Sequence, residues 1–240
     1  MIKAVIFDLD DTLVDTSTVS QRVIEDVYTK NIDMFGGKKI DDVCAIASEV
    51  FSNLINNTEI PSPSAAILVW FGIFNKLDKK PSIKDIVSLR KQMIDSFSRN
   101  VKAVFSVDKV FAYLRKNNIK IGVLTNGTFM EQAEKLIQTN LDIDIDYLVG
   151  TDMTVVEKPN AKAFNYILNL INANPQEVVM VGDSLESDII GAMNVGMTGV
   201  LFRSGWRHYS EEEERKADFV ISELSELIDL LARSFVRGGL

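Results

Sequence analysis

The sequence predicts an α/β fold, a doubly wound parallel sheet interrupted by an all-helical insertion. Short apolar stretches alternate with helical patterns through residues 101–240. These stretches are continuously apolar, which is typical of parallel strands covered by helices on both faces. One further stretch of this kind stands at the start of the chain, and only helical patterns lie between it and the others. A sheet whose first strand is separated from the rest by a helical domain accounts for these observations.

Six apolar stretches are predicted to form the strands of this sheet. The predicted strands cover residues 4–7, 120–125, 146–150, 178–183 and 198–202, with residues 218–221 as a sixth strand at an edge. Helical patterns lie between and after them, in residues 107–118, 128–140, 161–172, 187–196 and 223–234. Ser222 is predicted to cap the last of these helices.

Residues 17–100 break the alternation of strand and helix. They contain four helical patterns, in residues 19–30, 41–56, 64–77 and 83–100, and the breakers between them are glycine and proline residues. We therefore predict two domains, an α/β core formed by residues 1–16 and 101–240 and a helical domain formed by residues 17–100.

The composition limits the classes of function. The net charge of −8 argues against a nucleic-acid-binding surface, which needs clustered lysine and arginine. Cys44 is the only cysteine, which excludes an intrachain disulfide and favours a cytoplasmic location. His208 is the only histidine, so Ser-His-Asp and Cys-His catalysis lack good candidates. Residues 65–74 are the most apolar stretch, but they are about half the ~20 residues that cross a bilayer, so no membrane span is predicted.

Three carboxylates in four positions follow the first strand, in the stretch VIFDLDDTL. At ~4 Å, two carboxylates repel each other by roughly 4 kcal/mol at an effective dielectric constant of ~20. In an open parallel sheet, ligands bind beyond the carboxyl ends of the strands, where polar residues from distant parts of the chain converge. The residues predicted at this edge are Asp8, Asp10, Thr125, Asn126, Lys158, Asp183 and Asp188. A group of oxygen ligands without histidine favours Mg²⁺ over zinc.

Four motifs of this sequence, in order, resemble those of the haloacid dehalogenase-like hydrolase superfamily. They are FDLDDTLVDT, LTNGT, EKPN and VGDSLESD, and the first and last are highly specific in combination. The helical insertion after the first motif is similar to the family's C1-type cap. The resemblance implies a Rossmann-like core and a Mg²⁺-dependent phosphatase that acts on a small phosphorylated metabolite. The sequence is also similar to archaeal-type enzymes that act on glyceraldehyde 3-phosphate and to other enzymes that act on nucleotides or acylneuraminate phosphate. Of these substrates we expect a small phosphate ester such as glyceraldehyde 3-phosphate.

The resemblance also implies a role for each residue of the first motif. Asp8 would be the nucleophile that attacks phosphorus and forms an aspartyl-phosphate. Asp10 would protonate the leaving alcohol and then activate the hydrolytic water, and its backbone carbonyl would face the metal. Asp11 would have no chemical part, and its backbone amide would matter more than its carboxylate.

The later motifs would supply the remaining groups. Thr125 and the backbone amide of Asn126 would hold the transferring phosphoryl oxygens, and Lys158 would neutralise charge between Asp8 and the phosphate. Asp183 would bind Mg²⁺ together with Asp8. Two roles remain open for Asp188, which would orient either the water shell of the metal or Lys158.

Other functions remain as alternatives. A 2-haloacid dehalogenase of the same superfamily typically lacks the second aspartate, so Asp10 argues against it. A phosphomutase shares all four motifs and differs in the cap and in the fate of the phosphoryl group. A phospho-receiver signalling domain also uses Asp, Thr, Lys and Mg²⁺ on a parallel sheet, but its acidic pair precedes its phosphoacceptor. The sequence leaves open whether the protein is a monomer or a homodimer.

Overall fold

Six parallel strands form the centre of the larger of two units into which the chain divides. The computed structural model describes residues 1–55 and 62–237. The first unit contains Met1–Ser17 and Lys102–Leu240, and the second contains Thr18–Val101.

The sheet has the strand order β3-β2-β1-β4-β5-β6, and every pairing is parallel. Its strands are β1 (Ala4–Phe7), β2 (Lys120–Leu124), β3 (Tyr147–Val149), β4 (Val178–Gly182), β5 (Thr198–Phe202) and β6 (Phe219–Ile221). All residues of β1 and β4, the two central strands, are buried, as expected for apolar strands covered on both faces. The predicted fold class, a doubly wound Rossmann-like sheet with helices, is confirmed.

Every regular element of the second unit is a helix, within the residues that the structure describes. Its α-helices are α1 (Ser20–Lys30), α2 (Ile40–Ile55), α3 (Ser62–Lys76) and α4 (Ile83–Asn100). A capping box begins α4, in which Ser82 Oγ accepts from the Asp85 amide at 3.1 Å and the Asp85 carboxylate accepts from the Ser82 amide at 2.9 Å. Trp70 and Phe74 are buried in the core of this unit, where Phe74 stacks on Phe35.

The remaining helices belong to the α/β unit. They are α5 (Val107–Lys116), α6 (Phe129–Gln138), α7 (Thr151–Thr154), α8 (Ala161–Ile171), α9 (Gly191–Asn194), α10 (Glu211–Glu214) and α11 (Glu226–Arg237). Across the described parts of both units, each helix is too short or too polar to pass through a bilayer.

The last helix begins later than predicted, at Glu226, and Ser222 does not cap it. The Glu226 carboxylate instead accepts hydrogen bonds from the backbone amides of Ser222 and Glu223, at 2.9 and 2.7 Å. These bonds satisfy the two amides in a turn that precedes the helix. Because Ser222 lies four residues before Glu226, the prediction that it caps the helix was wrong.

Candidate active site

The carboxyl edge of the sheet carries the predicted polar residues. Asp8, Thr125 and Asp183 each follow directly after a strand, β1, β2 and β4 respectively. The Asp8 amide donates to the carbonyl of Val181 in β4 at 2.9 Å, which fixes the backbone at the end of β1. The Thr125 amide likewise donates to the carbonyl of Val149 in β3 at 3.0 Å, so hydrogen bonds between neighbouring strands hold the backbone at Asp8 and Thr125.

A buried lysine connects two of the aspartates. Lys158 Nζ lies 2.6 Å from Asp8 Oδ1 and 2.7 Å from Asp188 Oδ1, and its side chain is 1% exposed. Burial alone would lower the pKa of Lys158, but the carboxylates of Asp188 and Asp8 outweigh it and raise the pKa. Lys158 is therefore a permanent cation at this edge. Of the two roles that the sequence left open for Asp188, the structure shows the contact with Lys158.

The Asn126 side chain holds the segment that carries this lysine. Its Nδ2 donates to the Lys158 carbonyl at 3.1 Å, and its Oδ1 accepts from the Lys158 amide at 2.8 Å. The pair of bonds fixes the backbone of Lys158 on both sides of the residue, so the side chain of Asn126 positions the lysine.

Three carboxylates form an acidic cluster beside Lys158. Asp8, Asp183 and Asp188 each place one oxygen within 4.8 Å of the others. Burial raises the pKa of Asp8 well above its usual range; Lys158 opposes this, and Asp188, Asp183 and Asp10 add to it. Burial likewise raises the pKa of Asp183 to about 6. A divalent cation among these groups would favour the ionised form of both carboxylates and so oppose the effect of burial on their pKa values.

The hydrogen bonds of the cluster indicate which oxygens could bind such a cation. Asp188 uses both oxygens, one for Lys158 and the other for the Ser184 amide at 3.0 Å. Within the described residues, Asp8 Oδ2 and Asp183 Oδ1 accept no hydrogen bond, whereas the other oxygen of Asp183 accepts from Arg207 Nε at 3.1 Å. Asp8 and Asp183 therefore fit a metal better than Asp188 does.

Asp188 lies in a helical turn that is wider than the helix predicted there. Leu185–Ile190 form a π-helical turn, and α9 follows it. The turn brings Asp188 back over Gly182, where a Cβ atom would lie 2.3 Å from Asp188 Oδ2. The glycine of the VGDSLESD motif thus leaves the space that the Asp188 carboxylate occupies.

The Asp10 carboxylate contacts a different group of residues. It accepts hydrogen bonds from Thr16 Oγ1 at 2.5 Å, Gln132 Nε2 at 2.7 Å and Lys135 Nζ at 2.5 Å. Removal from water opposes ionisation of Asp10, but Lys135 and these hydrogen bonds outweigh it and lower the pKa. The sequence analysis missed Gln132 and Lys135, although their spacing of three residues in α6 places both on one helix face.

Asp11 has a structural task that the sequence analysis did not predict. Its backbone is left-handed, with φ 61°, and its carboxylate accepts from the amides of Thr16 and Ser17 at 3.1 and 2.7 Å and from Ser17 Oγ. Its own amide donates to the Val14 carbonyl at 2.7 Å. The carboxylate therefore holds the segment that leaves the first motif, and the expectation that the amide matters more than the carboxylate stays a prediction.

Replacing Asp11 with alanine should destabilise the protein. Asp11→Ala removes the hydrogen bonds that the carboxylate accepts and places a residue with poor left-handed propensity at φ 61°. We therefore expect a loss of about 1–3 kcal/mol in the free energy of unfolding. Asparagine tolerates the left-handed backbone and keeps one acceptor oxygen, so Asp11→Asn should lower the free energy of unfolding by less than Asp11→Ala does. Urea unfolding of both variants checks this; equal stability of Asp11→Ala and the wild type would contradict it.

A parallel sheet that carries a nucleophile candidate, a buried lysine and an acidic cluster at the carboxyl edge is typical of an α/β enzyme. The sequence matches the haloacid dehalogenase-like hydrolase family over residues 2–196. The chain belongs to this family and is a hydrolase.

Individual relatives extend this match. The chain is 30% identical to a glyceraldehyde 3-phosphate phosphatase from Pyrococcus furiosus, over 97% of this chain and 94% of that protein. It is 38% identical to the pyrimidine 5′-nucleotidase YjjG from Escherichia coli, over 49% of this chain and 52% of that protein. Among solved structures, the HAD-hydrolase YfnB from Bacillus subtilis, bound to magnesium, superposes with a TM-score of 0.79 at 16% identity, covering 96% and 99% of the two chains. This last likeness concerns the fold.

Proposed function

We propose that the protein is a Mg²⁺-dependent phosphatase that hydrolyses a small phosphomonoester through an aspartyl-phosphate at Asp8. The observation that carries this proposal is Lys158, a buried cation that contacts the Asp8 carboxylate at the edge of the sheet. A phosphate dianion brought to Asp8 adds negative charge to a crowded acidic site, and Lys158 offsets part of it. The family to which the chain belongs, and relatives named as phosphatases, support the same conclusion.

In the first step, a carboxylate oxygen of Asp8 attacks phosphorus, and the bond between phosphorus and the alcohol oxygen breaks. Asp10 gives a proton to that oxygen as it leaves, and then takes a proton from the water that attacks the aspartyl-phosphate. The lowered pKa of Asp10 suits its role as the base that takes a proton from water. The approach of a phosphate dianion raises the pKa of Asp10 toward the value that a proton donor needs. Asp8 is regenerated and inorganic phosphate leaves.

Three groups hold the phosphoryl oxygens in this proposal. They are the Thr125 hydroxyl, the backbone amide of Asn126 and the ammonium group of Lys158. Thr125 is 3% exposed and lies directly after β2, beside β1, which ends at the nucleophile. Donors in fixed positions cost little reorganisation when charge moves in the transition state.

Asp8 Oδ2, Asp183 Oδ1 and the backbone carbonyl of Asp10 would bind Mg²⁺. The ion would neutralise charge on the phosphoryl group and lower the pKa of Asp8, so that the nucleophile is ionised at neutral pH. Oxygen ligands alone, with carboxylates in the majority, match the preference of Mg²⁺.

Magnesium should stabilise the protein at neutral pH and lose this effect in acid. Because the pKa of Asp183 is raised to about 6, a proton occupies this carboxylate below pH 6 and competes with the metal. Burial also raises the pKa of Asp8, the other proposed carboxylate ligand. We therefore expect the affinity for Mg²⁺, measured from the shift in melting temperature during a titration, to fall by at least about tenfold per pH unit below pH 6.

The metal-free protein provides the control for this experiment. Between the ordinary pKa near 3.8 and about 6, the folded state binds more protons at Asp183 than the unfolded state, so this group's contribution to stability falls as pH rises. Asp183→Asn should remove the part of both effects that comes from Asp183. A magnesium shift that is the same at pH 5 and pH 7.5 would contradict the assignment of Asp183.

The proposed substrate is glyceraldehyde 3-phosphate. The match to the Pyrococcus furiosus phosphatase covers 97% of this chain, so it includes most of the helical unit, which we propose as a C1-type cap that selects the substrate. The match to the pyrimidine 5′-nucleotidase covers 49% of this chain and gives weaker support for nucleotides. We propose a cytoplasmic location because Cys44 is the only cysteine, and a monomer or homodimer as the active form.

Release of inorganic phosphate tests the proposed function. The protein is assayed with p-nitrophenyl phosphate and glyceraldehyde 3-phosphate, each with Mg²⁺ and with EDTA. Magnesium-dependent release from both, faster for glyceraldehyde 3-phosphate, is the expected result. Transfer of phosphate within a sugar phosphate would indicate a mutase. Release of halide from a 2-haloacid would indicate a dehalogenase, and a long-lived phosphoaspartate would indicate a receiver domain.

A further inference from the structure

Helix α6 provides two side chains that hold the Asp10 carboxylate from both sides. Lys135 Nζ contacts Oδ1 at 2.5 Å and Gln132 Nε2 contacts Oδ2 at 2.7 Å, so both oxygens are engaged by the same helix. Gln132 is 2% exposed and the Lys135 side chain is 12% exposed. The ammonium group of Lys135 therefore lies against the Asp10 carboxylate and is largely shielded from solvent.

Gln132 also connects Asp10 to Thr125. The same Nε2 donates to Thr125 Oγ1 at 2.8 Å, and the Gly127 amide donates to that oxygen at 3.1 Å. With its oxygen accepting two hydrogen bonds, the Thr125 hydroxyl keeps its proton for a third partner, which suits a phosphoryl oxygen.

Gly127, in the loop before α6, leaves room for the side chain of Gln132. A Cβ atom on Gly127 would lie 2.3 Å from Gln132 Nε2 and 2.6 Å from its Cδ, although the φ of this glycine is not left-handed. Gly127 therefore serves close approach: the side chain of Gln132 passes over it on the way to Asp10 and Thr125.

We propose that Lys135 and Gln132 are positioning residues of the hydrolysis, which hold the Asp10 carboxylate in the orientation from which it exchanges protons with the leaving oxygen and with water. Lys135 acts through Asp10 and does not contact the phosphoryl group, and Gln132 sets the directions of Asp10 and Thr125 together. This inference rests on the proposed function, because it assigns a task within the same reaction.

The choice of leaving group separates this role from a structural one. Departure of p-nitrophenolate needs no proton, whereas an alkoxide leaves with one from the general acid. The ratio kcat/KM reports the steps through departure of the leaving group. We therefore measure kcat/KM of Lys135→Met with p-nitrophenyl phosphate and with the best alkyl substrate in a panel that includes glyceraldehyde 3-phosphate. Lys116→Met, in the exposed last turn of α5, is the matched control.

We expect kcat/KM of Lys135→Met to fall about 10–100-fold with the alkyl ester and less than about threefold with p-nitrophenyl phosphate. In the Asp10→Asn background, Lys135→Met should have no further effect, because its target is already removed. Gln132→Met should lower both rates, since it also releases Thr125. Melting temperatures of all variants show whether they are folded.

Two kinds of result would overturn the inference. Equal losses with both esters, or an additive loss in the Asp10→Asn background, would mean that Lys135 contacts the phosphate or serves the fold. An alkyl ester rate that is unchanged or higher would mean that Lys135 does not position Asp10. If the wild-type protein hydrolyses no ester of the panel, the proposed function fails and this inference fails with it.

Discussion

Asp8→Asn should abolish phosphate release while the protein stays folded. The amide lacks a nucleophilic oxygen of carboxylate strength, so we expect kcat to fall by at least about 10⁴-fold. The melting temperature in EDTA should not fall, because burial and three neighbouring carboxylates raise the pKa of Asp8, and the amide removes a charge that the site disfavours. Phosphate release and thermal unfolding of the same preparation check the two halves of this prediction.

Asp142→Asn is the matched control for this variant. Asp142 is an exposed aspartate outside the site, so the same change of charge there should leave both quantities unchanged. An Asp8→Asn protein that keeps more than a tenth of the wild-type rate would exclude Asp8 as the nucleophile.

Lys158→Met should cost both stability and activity. The substitution leaves Asp8 and Asp188 buried beside each other without their shared cation, so the free energy of unfolding in EDTA at neutral pH should fall by about 3–5 kcal/mol. Because the substitution also removes the cation that we propose for the phosphoryl group, kcat should fall by about 10²–10³-fold. Urea unfolding and phosphate release are the two measurements.

A second substitution separates the two effects. In Lys158→Met/Asp188→Asn one uncompensated charge is removed, so stability should recover in part while activity stays low. Lys162→Met, an exposed lysine in the first turn of α8, should change the free energy of unfolding by less than about 0.5 kcal/mol. A Lys158→Met protein as stable as the wild type would show that the ion pairs contribute no net stability.

The sheet could be predicted because its strands are local patterns. AVIF and VVMVG are continuous apolar runs, and a carboxylate directly after each run marks the strand end. If the strands are parallel, Asp8 and Asp183 must lie at the same edge of the sheet. The observed pairing agrees, because Ala4 lies opposite Val178 and Phe7 lies opposite Val181. This part of the site follows from elementary sheet geometry.

The partners of Asp10 could not be predicted in this way. Gln132 and Lys135 lie in an amphipathic helix, where polar residues usually face solvent. Whether such a residue reaches Asp10 depends on the rotation and distance of α6 relative to β1, which are set by tertiary packing. The π-helical turn at Asp188 was missed for a similar reason, because its extra residue per turn has no sequence pattern of its own.

The central position of β1 has a consequence for how the chain is made. Ala4 pairs with Lys120 on one side and with Val178 on the other, so β1 is synthesised before the other strands of the sheet and gains its second neighbour only when β4 has been made. At about 5–20 residues per second, the ribosome needs roughly 10–35 s between β1 and β4. During that time the helical unit, whose contacts are local, can fold. Strand β1 meanwhile lacks its neighbour β4. A nascent chain that stops before residue 178 lacks Val181, whose carbonyl accepts a hydrogen bond from the Asp8 amide, and it leaves one edge of the apolar strand β1 unpaired.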